Sequence, residues 1–133
     1  MSDILKFSIP GKPEYVQVVR LAIASIAGKA NFDVDAVEDI KSAVEEACKN
    51  VFCHGFDRFS NTYEIICEIT EGSITITVND DCSEHDLVKS SKPCKKCPDE
   101  GNMALSVMES LMDDVSIKSG SDGAKSIRMV KNK

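Results

Sequence analysis

The chain has 133 residues, 42% of them hydrophobic and 29% charged, which is the balance of one globular domain with its own core and not of a disordered segment. Lys and Arg number 16 against 22 Asp and Glu, a net charge of −6, so nothing in the overall electrostatics draws the chain to nucleic acid or to an anionic membrane. No apolar run approaches the roughly 20 residues of a membrane span, and Met1 to Lys6 lacks the apolar stretch of a secretory leader; the expected location is the cytoplasm.

The chain opens on Ile4-Leu5-Lys6-Phe7-Ser8-Ile9, which alternates apolar and polar from Leu5 onward and reads as a strand. Pro10-Gly11-Lys12-Pro13 stops it. From Glu14 to about Gly28 the period becomes helical, with Val16, Val19, Ala22, Ile23 and Ile26 on one stripe and Gly28 as the expected stop. A second helix starts near Asp33 or Asp35. There Asp35-Ala36-Val37-Glu38 has the form of a capping box. Val37, Ile40, Val44, Ala47, Cys48 and Val51 form its apolar stripe, and it is expected to end before His54-Gly55. Tyr63, Ile65, Cys67 and Ile69, then Ile74, Ile76 and Val78 across a Glu71-Gly72 turn, predict a hairpin. Residues from about Asp81 to Gly101 form a long polar loop. A third helix follows from about Asn102 to Met112. Two strands, Val115 to Lys118 and Lys125 to Val130, flank a turn at Gly120-Ser121-Asp122-Gly123. This order predicts an α+β fold, one mixed sheet with helices on one face, in a single domain spanning 1–133.

Three places offer chemistry. Glu46 and Asn50 stand at i and i+4 of the second helix, one turn apart on the same face. A carboxamide oxygen suits the hard oxygen shell of Mg²⁺, and a carboxylate can take the proton of an attacking hydroxyl; the same spacing also fits a polar helix face with no role. Asp80, at the exit of a strand, can accept a hydrogen bond from an exocyclic amine, or simply solvate the exit. Asp99-Glu100-Gly101-Asn102 leads into the third helix, where backbone N–H groups can meet a phosphate, although two acidic residues there equally make an ordinary helix start.

The six cysteines are Cys48, Cys53, Cys67, Cys82, Cys94 and Cys97. Three fall in helix or strand patterns and behave there as small apolar residues. Cys94-Lys95-Lys96-Cys97 lies in the long loop and leaves three readings open: free thiols, a redox pair whose thiolates the flanking lysines favour, or a Zn²⁺ site of Cys82, His85, Cys94 and Cys97.

Four segments together resemble the anti-sigma-factor serine/threonine kinases of sporulation and general stress control, in the ATPase superfamily of gyrase, histidine kinases and mismatch-repair proteins. They are Pro13-Glu14-Tyr15-Val16 with Arg20-Leu21; Asp39 to Asn50 followed by His54-Gly55-Phe56; Asp80; and Met108-Glu109-Ser110-Leu111-Met112-Asp113. The resemblance implies a histidine-kinase-like, Bergerat-type sandwich. It implies that Glu46 is the general base towards a substrate serine and that Asn50 binds the Mg²⁺ that bridges the phosphates of ATP. Asp80 would read adenine, Gly101, Asn102 and Ala104 would lie at the phosphates, and the loop at about 81–101 would be the lid. It further implies a homodimer whose partners are a sigma factor and an anti-sigma-factor antagonist, with Arg20 as a partner contact. The chain departs from the family pattern in two places. Asp81-Cys82 follows Asp80 where a glycine is usual, and Gly101 is the one glycine of the second box. The alternative reading is therefore a binding module of the same fold that exchanges partners without kinase activity.

Overall fold

The computed structural model describes residues 2–10, 13–55, 62–80, 100–119 and 125–133. The opening alternation becomes β1 (Asp3–Pro10). Pro10 is accommodated because β1 is an edge strand, where the missing N–H leaves no ladder bond unmade. A 3₁₀ turn (Pro13–Tyr15) leads into α1 (Val16–Lys29), so the helix proper begins two residues later than its periodicity suggested. Gly28 is not its stop. Asn31 takes the left-handed conformation instead, at φ 68°. Phe32 N–H donates to the Ala27 carbonyl and Asn31 N–H to that of Gly28, the paired bonds of a Schellman ending. Phe32 and Ala27 are both buried beside them.

α2 (Val34–Gly55) is capped by Asp33 and not by the Asp35 box: Asp33 Oδ1 accepts from the Ala36 N–H at 2.8 Å. Asp35 lies inside the first turn, where its charge suits the helix dipole. The helix also runs past the expected end, through His54 to Gly55. β2 (Thr62–Ile69) and β3 (Ser73–Asp80) make the expected hairpin. Its turn is tied by the Thr70 and Ser73 hydroxyls, 2.9 Å apart. α3 (Glu100–Leu111) starts two residues before the expected Asn102. β4 (Asp114–Ser119) and β5 (Lys125–Asn132) complete the chain, and the turn at 120–123 lies outside the described residues.

The sheet order is β1-β2-β3-β5-β4. The α+β sandwich is as expected, but the sheet is not mixed, since all four neighbouring pairs are antiparallel. The physical reason is an insertion. β4 runs in the same direction as β3, but β5 lies between them and pairs antiparallel with each. Register places two apolar rows across all five strands: Leu5, Cys67, Ile76, Met129, Val115 and Phe7, Ile65, Val78, Ile127, Ile117. These rows face the helices and pack with Ile23, Ile26, Ile40, Val44 and Met108 into one core. The opposite face of the sheet carries Lys6, Glu64, Thr75, Thr77 and Arg128. No described helix is long and apolar enough to cross a membrane.

Candidate functional site

α2 is the central helix and packs against α1, α3 and the sheet. Two anchors fix its direction. Near its start, Asp39 lies 3.6 Å from Lys131, on β5 opposite Ile74 at the beginning of β3. In its C-terminal half, Cys48 meets Tyr63, which pairs in register with Asp80 at the end of β3. α2 therefore runs alongside β3 in the same sense, and the turn bearing Glu46 and Asn50 arrives at the end of the sheet where β3 delivers Asp80.

α3 runs the other way. Its last carbonyl region is held at the opposite end of the sheet, where Lys131 Nζ donates to the Leu111 carbonyl at 2.6 Å and Asp113 N–H to that of Val130. Its first turn, with Gly101, Asn102 and Ala104 close behind, belongs at the Asp80 end. The backbone thus gathers the five expected nucleotide residues, Asn50, Asp80, Gly101, Asn102 and Ala104, together with Glu46, at one end of the molecule. Gly101 and Asn102 occupy the first turn of α3 itself and not a loop before it, so their N–H groups are among those that no helix carbonyl accepts.

Glu46 is half-buried on α2. Its neighbour Glu45 points towards α1, where Glu45 Oε1 lies 3.8 Å from Arg20 Nη1. Arg20 is therefore not a wholly free surface cation: its side chain is 27% exposed and its Nε is buried with no hydrogen-bond partner. At the exit of β3, the Ser126 hydroxyl donates to Asn79 Oδ1 and fixes the strand just before Asp80.

Sequence reasoning missed the pair behind the site. Cys48 and Tyr63 are buried, 15 positions apart, on different elements. Burial pushes the Cys48 thiol up to about 12, only partly offset by the neighbouring Tyr63 side chain, and the nearby Glu45 carboxylate raises it further. Burial likewise raises the Tyr63 phenol, with Cys48 adding to it. Both stay neutral throughout the physiological range. The one available signal was Tyr63 on the apolar face of a strand, where a buried hydroxyl needs a partner. Cys82, His85, Cys94 and Cys97 lie outside the described residues, and among the described residues no cluster of His, Cys, Asp or Glu could hold a metal ion.

Comparison with known proteins agrees with this fold. The family model of the histidine kinase-like ATPase domain matches residues 9–131. The serine-protein kinase RsbW of Bacillus licheniformis is 33% identical over 127 residues, covering 88% of this chain and 79% of that protein. The RsbW protein of Oceanobacillus iheyensis is 35% identical over 125 residues, covering 86% and 78%. Among solved structures, the RsbU and RsbW domains of Rv1364c from Mycobacterium tuberculosis superpose with a TM-score of 0.72 at 15% identity. That match takes in 97% of this chain, which spans about a third (31%) of the longer protein.

Proposed function

The chain belongs to the histidine kinase-like ATPase domain family, alongside the serine-protein kinases RsbW, and on that basis we propose that it is an anti-sigma regulator with ATP-dependent protein-serine kinase activity. Its protein substrate in this reading is an anti-sigma-factor antagonist, and a sigma factor is the competing partner. The observation that carries the reading is the convergence of the Glu46–Asn50 turn of α2, the exit of β3 at Asp80 and the start of α3 at one end of the sheet.

The donor types suit the group. An Asn carboxamide is a hard oxygen ligand, appropriate to Mg²⁺ and not to softer metals. ATP–Mg²⁺, when bound, supplies the transferable phosphoryl group and its charge neutralisation. The chain's own residues then act by positioning. Asn50 holds the metal, and Asp80 accepts a hydrogen bond from the adenine amine. The free N–H groups at the start of α3 receive phosphate oxygens. Glu46 removes the proton from the serine hydroxyl as it attacks. The segment at 81–99 would serve as the lid, with Cys82, His85, Cys94 and Cys97 as its thiol or zinc group, and the protein would act as a homodimer.

Titration calorimetry with ATP, with and without Mg²⁺, followed by transfer of labelled phosphate to a serine of an antagonist protein, tests the proposal. Mg²⁺-dependent binding with transfer supports it. Absence of ATP binding at millimolar concentration would leave the partner-exchange module without kinase activity, the reading that Asp81-Cys82 and the single Gly101 favour.

A further inference from the structure

The antiparallel ladder between β3 and β5 ends one residue short of Asp80. It runs from Ser73 opposite Asn132 to Asn79 opposite Ser126. Among the described residues, Asp80 is in register with Tyr63 of β2 and with no residue of β5. Ile74 to Asn79 are laddered on both sides, whereas the last residue of β3 is laddered on one. A strand end with fewer partners opens more readily than the strand behind it.

At the last shared rung the two strands are joined a second time. The Ser126 hydroxyl donates to Asn79 Oδ1 at 2.5 Å, between residues 47 positions apart in the chain. Both residues are half-buried. They lie on the face of the sheet turned away from the helices, because Val78 beside the one and Ile127 beside the other belong to the core. Ser126 therefore stands across the sheet from α2 and α3, and a ligand gathered by those helices does not reach it. What it acts on is the backbone of Asn79, and through that the residue that follows.

Apolar packing on the inner face does not replace this link. Hydrophobic contacts are non-directional, so Val78 and Ile127 tolerate some twist of β3 against β5. A hydrogen bond has a narrow range of length and angle and limits that twist at the rung. A cross-strand bond from a serine hydroxyl is worth up to about fivefold in an equilibrium.

Resting on the reading of Asp80 above, we propose that Ser126 is a positioning residue for base selectivity: through Asn79 it holds the end of β3 where Asp80 accepts from the exocyclic amine of adenine. Without the link, the ligand itself must order that strand end. Only a base that bonds to Asp80 has to meet that cost.

The test titrates the intact chain calorimetrically with ATP–Mg²⁺ and with ITP–Mg²⁺, which has the same ribose and triphosphate but a carbonyl in place of the amine. Ser126→Ala should bind ATP–Mg²⁺ about threefold more weakly and ITP–Mg²⁺ within about 1.5-fold of wild type, which narrows the preference for adenine. Ser126→Thr keeps a hydroxyl on a residue suited to strands and should hold the wild-type ratio. Asn79→Ala should reproduce the loss, and the double variant should lose no more than either single one, because both remove the same link. Equal weakening of the two nucleotides by Ser126→Ala would assign the serine a merely structural role and overturn the proposal. Unchanged affinity for both, or a threonine variant no better than alanine, would overturn it as well. Each of those results leaves the reading of Asp80 standing. Wild-type protein that binds neither nucleotide, or both equally, would instead overturn that reading and the proposal with it.

Discussion

Cys67 makes the core sensitive to alkali in a measurable way. It sits at the centre of an apolar row, between Leu5 and Ile76, fully buried on β2. Burial alone pushes its thiol from 9.0 up to about 11. The sign follows from linkage. Between those two values the unfolded chain has released the proton and the folded chain has kept it, so stability is full below pH 9 and falls as pH rises towards 11. Two units correspond to about 2.7 kcal/mol, of which about 2 kcal/mol is gone by pH 11. Cys67→Ala removes this dependence. It also leaves a small void where the sulfur was, on the order of 1 kcal/mol at neutral pH. The two effects oppose each other, so the stability curves of wild type and variant should cross. Urea unfolding followed by circular dichroism under reducing conditions, at steps from pH 8 to pH 11, reads both curves. Wild type should be the more stable at pH 8 and the less stable at pH 11. Curves that stay parallel across that range would refute the reasoning, because the other titrating groups are common to both proteins.

Three further outcomes bear on the site and its scaffold. Glu46→Gln should leave ATP binding largely intact and slow phosphoryl transfer by about 10²–10⁴-fold, the span of a lost general base; near-normal transfer in a single-turnover assay would remove Glu46 from that role. Asn50→Ala should abolish the gain in ATP affinity that Mg²⁺ brings, read by calorimetry with and without the metal, and an unchanged gain would exclude the metal contact. Asp33→Ala removes the 2.8 Å cap of α2 and should cost about 1 kcal/mol, a fall in Tm of about 3–5 °C by calorimetry; an unmoved Tm would mean that packing alone holds the helix start.

The strands were legible in the sequence because their period of two is unambiguous where one face is buried. Tyr63, Ile65 and Cys67 alternate with Glu64, Ile66 and Glu68, and all three of the first set are buried. That Glu46 and Asn50 share one face of α2 was legible because a helical turn fixes i and i+4 on one side. What escaped was decided by contacts distant in sequence or by a single backbone angle. No periodicity reveals that β5 slips between β3 and β4, since that depends on which strand edges meet. Gly28 looked like the end of α1, but Asn31 satisfied the same left-handed requirement three residues later. The ion pair of Arg20 with Glu45, which joins α1 to the helix that carries Glu46, was likewise not legible. The Cys48–Tyr63 pair was invisible for the same reason: each residue looked like ordinary core on its own element.

The insertion of β5 also accounts for the electrostatic character of the site end. Because β4 runs with β3, the connection between them must carry the chain back along the sheet, and α3 makes that return. α2 runs towards the Asp80 end and α3 runs away from it. The C-terminal half of α2 and the N-terminus of α3 therefore meet at one place, and their dipoles have opposite signs there. The N-terminal end of α3 favours an anion, and the C-terminal end of α2 favours a cation. A bare polyphosphate would satisfy only the first and a free metal ion only the second. A polyphosphate carrying its own divalent cation would match both, which is in keeping with the ATP–Mg²⁺ ligand proposed above.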